Sequence, residues 1–350
     1  MYRLIPPIAL FIILCLSGHA LADPPSGYYD SVDTTDSGTL RATLHEVIDD
    51  HERFPYTSSN TDTWDILELA DQDPNDGDHI LDVYRNASYH KTGGGNGPYN
   101  REHTWPKSYG FPDNNSQNYP YTDCHMLHLC DPAYNSSRSN NPYRNCNGAC
   151  LEKLTNENNG QGGGSGEYPG NSNWRTGSGS GGTWETWIGR RGDVARALLY
   201  ADIRYEGGTH GGTGHSEPDL ILTDDGNLIV TSSDNEPVAY MGILSVLLQW
   251  HVEDPVDDVE LNRNDVVFSF QDNRNPFIDN PEWVACLFMD ECDAACTQDL
   301  DGDGQVEAFD LAIVLGGWGP CEGCPTDFDG NGVVDAFDLA QVLGAWGMCP

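Results

Sequence analysis

The chain has 350 residues, with 55 Asp and Glu against 17 Lys and Arg, a formal charge of −38 at neutral pH. Such a field opposes long-range attraction to polyanions, because charge-steered association with phosphate-bearing partners normally uses a basic surface. The length exceeds one modal domain and predicts a large unit plus a smaller one, and no stretch beyond residue 22 reaches the roughly 18 apolar residues of a membrane span.

Arg3, an apolar run from Ile8 to Leu16 and Ala20-Leu21-Ala22 have the charge, length and small-residue site of a signal peptide over 1–22, so the mature protein begins near Asp23 and is secreted or associated with the cell surface. Lipid attachment through Cys15 is disfavoured by the bulky Ile12, Ile13 and Leu14 before it. Setting Cys15 aside from 11 cysteines leaves 10, an even number that favours disulfides in an exported chain. A local bridge such as Cys146 with Cys150 fits, but spacing does not fix the pairing.

From Asp23 to 283 helical and extended patterns alternate, which predicts an α+β domain rather than a doubly wound sheet. Leu40, Leu44, Val47 and Ile48 share one helical face, and His79 to Tyr84 reads as a short strand. Gly93 to Gly97 and Gly160 to Gly182 are rich in Gly, Ser and Asn and read as mobile surface loops. Val194, Leu198, Ala201 and Tyr205 mark a second helix, with Arg196 and Arg204 opposite its apolar face in packing and ion-pairing roles. Ala239 to Val252 is apolar nearly all round and predicts a buried helix. The pattern changes between Glu282 and Asp299, which gives a domain over 23–283, a linker over 284–298 and a second domain over 299–350.

Two segments of the larger domain concentrate reactive groups. Arg101-Glu102-His103-Thr104-Trp105-Pro106 sets a carboxylate beside an imidazole, which on a regular strand would face opposite ways. Asp123-Cys-His125-Met-Leu127 runs on to Asn135-Ser-Ser-Arg138-Ser-Asn140, dense in oxygen, imidazole and guanidinium groups. A hard cation, a water-activating base and a phosphate clamp are what phosphodiester hydrolysis needs. Residues 99–144 hold Arg101, Lys107, Arg138 and Arg144 against Glu102, Asp113, Asp123 and Asp131, so this region is neutral within an acidic shell. His210 and His215 lie in a Gly-rich loop without the carboxylate spacing of a zinc site.

These segments, with Arg191-Gly192-Asp193-Val194-Ala195-Arg196-Ala197 and Gln271-x-Asn273-Arg274-Asn275-Pro276-Phe277, resemble the bacterial endonuclease I family of His-Me finger (ββα-metal) nucleases over about residues 60 to 283. The resemblance implies His103 as general base, Glu102 and Asn135 as ligands of one Mg²⁺, and His125 as a fold-supporting histidine. Arg138 is the expected phosphate clamp, because a guanidinium pairs with phosphate oxygens in fork geometry. It further implies a monomeric catalytic domain that cleaves DNA, and RNA too, to 5′-phosphate products with little regard to base sequence. Met126 stands where the family usually has Asn, and Cys124 and Cys130 depart from it as well, with a local bridge between them as an expectation.

The tail is an internal repeat: Asp299-Leu-Asp-Gly-Asp-Gly-Gln-Val-Glu-Ala-Phe-Asp310 recurs 28 residues later as Asp327-Phe-Asp-Gly-Asn-Gly-Val-Val-Asp-Ala-Phe-Asp338. A 12-residue calcium loop supplies oxygens from positions 1, 3, 5, 7, 9 and 12 with Gly at 6. The ligands would be Asp299, Asp301, Asp303, the Gln305 carbonyl, Glu307 and Asp310, then Asp327, Asp329, Asn331, the Val333 carbonyl, Asp335 and Asp338. Asp71-Gln-Asp-Pro-Asn-Asp-Gly is similar but has Asp76 at the sixth position, which excludes it. The paired loops, with Asp at position 12, resemble a type I dockerin domain, which implies a small all-α, EF-hand-like fold, two Ca²⁺ and a cohesin-like partner on a scaffold or cell surface. Cys321, Cys324 and Cys349 are not part of that pattern, and Cys321-x-x-Cys324 lacks the second CxxC of a zinc finger. Two rival functions remain at this level: an inactive calcium-stabilised adhesion protein, and a tethered polysaccharide hydrolase, for which no carboxylate pair stands out.

Overall fold

The computed structural model describes residues 24–94, 97–292, 298–301, 304–321, 323–328 and 331–348. The leader assigned to 1–22 therefore lies outside the described residues, as do Asp303, Asp329 and Cys349.

The larger unit begins with α1 (Ser37–Ile48), whose Asp36 cap accepts from the Thr39 amide and whose Leu40, Leu44 and Ile48 are buried. Helix α2 (Thr63–Ala70) starts at a reciprocal capping box between Asp62 and Asp65, which satisfies the exposed first-turn amides. A small antiparallel sheet follows: β1 (Gln72–Asp73), β2 (Asp76–Leu81) and β3 (Ser88–His90), with β2 central. The strand expected at His79 to Tyr84 thus begins and ends three residues earlier. Next come β4 (Asn100–His103) and β5 (Leu127–Cys130), paired antiparallel with Glu102 opposite His128 and His103 opposite Leu127. Helix α3 (Pro132–Arg138) leaves β5 at once, because Asp131 caps the Ala133 amide and Pro132 presets the first helical φ.

Beyond α3 the chain forms β6 (Leu151–Lys153), β7 (Asn173–Thr176) and β8 (Thr183–Glu185), an antiparallel sheet with β7 in the middle. This corrects the reading of 160–182 as loop throughout: Ser172, Asn173 and Trp174 are buried, and the Asn173 amide donates to the Tyr84 carbonyl at 2.6 Å. Helix α4 (Arg191–Arg204) is the central element, buried on every face from Gly192 to Arg204. Its polar side is dry because each guanidinium has a partner: Arg196 Nε donates to Glu260 at 2.8 Å, and Arg204 forks onto Glu217 at 3.0 and 2.9 Å.

The run predicted as one helix over Ala239 to Val252 is instead a strand and a helix. β9 (Asp219–Leu222) pairs in parallel with β10 (Val238–Met241), and α5 (Leu244–Glu253) packs on α4 through Leu247 and Trp250. Gly242 separates them where a Cβ would lie 2.2 Å from the Thr223 carbonyl oxygen, so only glycine fits that approach. Then follow α6 (Asp258–Gln271), α7 (Pro276–Asp279) and α8 (Trp283–Met289). Val284, Cys286 and Leu287 join the main core, and Cys286 bonds Cys292, so the large domain continues past residue 283 into the stretch assigned as linker.

The tail has a core of its own, built from Val306, Val314, Val334 and Val342. It is not all-α. The strands β11 (Gln305–Val306), β12 (Gly319–Pro320), β13 (Val333–Val334) and β14 (Gly347–Met348) flank α9 (Ala308–Gly316) and α10 (Ala336–Gly344). β11 pairs with β14 and β12 with β13, so each loop is stitched to the exit of the other repeat's helix. Cys146 bonds Cys150 and Cys321 bonds Cys324. Cys124 and Cys130 are free thiols. The expected local bridge does not form because Cys124 packs with Leu127 and Leu129 on one core, whereas Cys130 turns to the other with Met126.

Arg196 and Glu260 predict a stability effect. Arg196→Met leaves the Glu260 carboxylate buried without its counter-charge and should cost about 3–5 kcal/mol in denaturant unfolding. Arg196→Met combined with Glu260→Leu should recover most of that loss, and a single variant within 1 kcal/mol of wild type, roughly a surface-pair effect, would show the pair to be solvated.

Candidate active site

Strand alternation sends Asn100 and Glu102 to the face of β4 that α3 covers, and places His103 at the strand end, where Thr104-Trp105-Pro106 turns the chain away. The Asn135 side-chain nitrogen donates to Asn100 Oδ1 at 2.9 Å and to the Arg101 carbonyl at 3.2 Å. With both amide hydrogens engaged, Asn135 is oriented and its Oδ1 remains as the acceptor. Glu102 is buried. Its Oε1 accepts from Tyr84 Oη at 2.9 Å and lies 3.2 Å from an Arg138 guanidinium nitrogen. Burial raises its pKa to about 7, only partly offset by Arg138 and Tyr84.

The His103 ring is held through Nε2, 3.0 Å from the Tyr121 carbonyl, which makes Nε2 the protonated nitrogen and leaves Nδ1 as the basic one. Among the described residues Nδ1 has no hydrogen-bond partner. Tyr56, Tyr121 and Phe111 surround the ring, with centroids 5.9, 5.0 and 6.3 Å away. Burial pushes its pKa down to about 3, and Lys107, Arg101 and Arg138 push the same way, so the imidazole is neutral at physiological pH.

Arg138 does not occupy the position of a phosphate clamp. It is 1% exposed, and its guanidinium donates to the His103 and Thr104 carbonyls at 3.1 and 2.6 Å while facing Glu102 and lying over the Tyr143 ring. Fork geometry that suits phosphate suits two backbone carbonyls equally, and here it locks the end of β4. His125 is a buried support whose Nε2 is 3.0 Å from the Asn273 carbonyl. Asp123 next to it accepts from Tyr200, Tyr205 and Gln271, and although burial opposes ionisation, His51, His125 and the Gln271 hydrogen bond hold its pKa down to about 2. His210 lies against Tyr119 with its Nε2 3.3 Å from the His51 carbonyl, in a packing role. Tyr84, Asn100 and Tyr121 orient the three central groups and carried no motif signal; Tyr121 acts through its backbone, to which side-chain patterns are blind.

The donor set suits a hard divalent ion: one carboxylate oxygen of Glu102 and the Asn135 Oδ1 remain after the protein contacts are made, and Arg138 only partly offsets the cost of burying the Glu102 charge.

In the tail, the carboxylates of Asp299, Asp301 and Asp310 each bring an oxygen within 4.8 Å of the others. Gly304 and Gly332 take φ of +86° at the sixth loop position, where a side chain would be strained. Their amides donate to Asp299 at 2.9 Å and Asp327 at 2.8 Å. Glu307 and Asp335 also serve as helix caps, and Asp310 and Asp338 are the reciprocal capping partners. Gln305 and Val333 sit on β11 and β13, and the Asn331 side chain accepts from the Val333 amide.

The sequence profile of the family described as Endonuclease I matches residues 36–282. A protein named extracellular ribonuclease from Bacillus subtilis (strain 168) is 36% identical over 263 residues, covering 73% of this chain and 76% of its own. Another of that name from Bacillus amyloliquefaciens is 35% identical over 261 residues, with the same shares covered. No helix among the described residues is long and apolar enough to cross a membrane. A family match over more than half the chain and relatives at this identity together show that the chain is a nuclease and belongs to the endonuclease I family.

Proposed function

We propose that the protein is a secreted, Mg²⁺-dependent endonuclease that hydrolyses phosphodiester bonds in RNA and DNA to 5′-phosphate products, with His103 as general base and Glu102 and Asn135 as metal ligands. The observation that carries this is the pinning of His103 Nε2 by the Tyr121 carbonyl on the same strand as Glu102, while Asn135 reaches that strand with its oxygen left over. The hairpin β4–β5 followed by α3 has the order of a ββα-metal unit. Both Bacillus relatives are extracellular ribonucleases by name, which supports export and an RNA substrate.

Neutral His103 receives at Nδ1 the proton of the attacking water as the new bond to phosphorus forms and the bond from phosphorus to the 3′ oxygen breaks, the departing 3′ oxygen taking up a proton from solvent. The Tyr121 carbonyl stabilises the imidazolium that results, through the Nε2 hydrogen. A bound Mg²⁺ would neutralise charge on the phosphate and the leaving oxygen. Arg138 keeps the strand end, and so the base, in register with Glu102. Recognition confined to phosphates gives little sequence preference.

For the tail we propose two Ca²⁺ sites and a docking role toward a cohesin-like partner. The support is the carboxylate cluster of the first loop and a repeated exposed apolar set, Phe309, Leu315 and Trp318 in one copy and Phe337, Leu343 and Trp346 in the other.

Both plasmid DNA and single-stranded RNA should be degraded with Mg²⁺, and EDTA should abolish both activities; persistence in EDTA would exclude the metal site. Because burial holds Glu102 protonated below about pH 7, a proton competes with the metal there. Mg²⁺ affinity should fall about tenfold per pH unit below 7 and level off above it. Raising Mg²⁺ should accordingly move the acid limb of the rate profile to lower pH. A limb that metal leaves in place would point to the base instead. Calorimetric titration should find Ca²⁺ binding that Asp310→Ala with Asp338→Ala removes, and unaltered binding would place the calcium elsewhere.

A further inference from the structure

The unfilled role is that of the phosphate-binding cation, since Arg138 is committed to the interior. Most of the cations in this acidic chain are likewise engaged. Arg190, Arg196, Arg204, Arg263 and Arg274 are buried in ion pairs. Arg101 donates to Thr57, Thr63 and the Tyr56 carbonyl. Among the described residues Lys107 is the one lysine or arginine that stands exposed. It lies four residues after the base, beyond the turn at Pro106, and its Nζ donates to Tyr121 Oη at 2.8 Å while lying 4.8 Å from the centre of that ring.

Tyr121 thereby ties the cation to the base. Its carbonyl holds His103 Nε2, its ring meets the imidazole edge-on at 5.0 Å, and its hydroxyl holds Lys107. An ammonium has three donors, and among the described residues only the one to Tyr121 is in use.

We propose that Lys107 binds a non-bridging oxygen of the substrate phosphodiester beside His103, taking the clamp role that the sequence suggests for Arg138. The proposal rests on the active-site assignment above and adds the residue that attracts and places the polyanion. An exposed ammonium suits this task, since it can shed solvent and counterions on contact without unmaking the core. It also accounts for an enzyme of charge −38 engaging a nucleic acid: one localised positive charge at the point of attack, within a Debye length of about 10 Å at 0.1 M salt, replaces a basic surface.

The test compares kcat/KM on a short single-stranded oligonucleotide across NaCl concentrations for wild type, Lys107→Met and Lys107→Arg, with thermal midpoints confirming that all three fold. Lys107→Met should lower kcat/KM at least tenfold and flatten the plot of log kcat/KM against log salt by about 0.7, the loss of one phosphate contact on a single strand. Lys107→Arg should keep the wild-type slope. Wild-type efficiency and slope in Lys107→Met would overturn the proposal. So would lost activity with an unchanged slope that Lys107→Arg fails to restore, since Lys107 would then act only as a prop for Tyr121. An EDTA-insensitive wild type would refute the metal-site reading instead, leaving the salt comparison valid.

Discussion

The site depends on one buried ion pair. Glu102 is a carboxylate taken out of water, and Arg138 is the cation that makes this tolerable while also gripping the carbonyls of His103 and Thr104. Burying such a pair adds little net stability, but removing one partner leaves a stranded charge. Here it fixes the end of the strand on which Glu102 and His103 are neighbours. The carboxylate is held by its Oε1 contacts to Tyr84 and Arg138, the imidazole by Tyr121, and the amide of Asn135 by the backbone of the same strand.

The same economy runs through the molecule. Arginines are used inside, on α4 and α6, where a guanidinium satisfies several acceptors at once, and the acids left over cover the surface. Among the described residues there is accordingly no extended basic face. On the proposed assignments, contact with the phosphate backbone is short-ranged, confined to Lys107 and to a metal at Glu102 and Asn135.

How much of this was legible from sequence depended on what kind of atom carried it. Glu102, His103 and Asn135 stand out in the sequence by chemistry and order, and the structure brings Asn135 onto the strand that carries the other two. Arg196 and Arg204 were rightly placed in ion pairs, although the helix they occupy is buried all round rather than on one face. Arg138 was misplaced because the chemistry that recognises phosphate also recognises paired carbonyls. The apolar run through Ala239 to Val252 has no period that separates strand from helix, and the division at Gly242 follows from a close approach to Thr223 that only tertiary structure reveals. Strand β7 hid in a Gly-rich stretch because its burial rests on Asn173 and Trp174 between two neighbouring strands rather than on an apolar pattern of its own. The repeat of the tail was evident, but the crossed pairing of β11 with β14 and β12 with β13 was not, because two-residue ladders carry no periodicity.

The claim at the centre is that a neutral, carbonyl-anchored His103 deprotonates water. Single-turnover cleavage by His103→Ala at saturating Mg²⁺ measures this most directly. The account predicts a rate at least about a hundredfold below wild type, the lower end of general-base contributions, with oligonucleotide binding retained. Cleavage at the wild-type rate would contradict it.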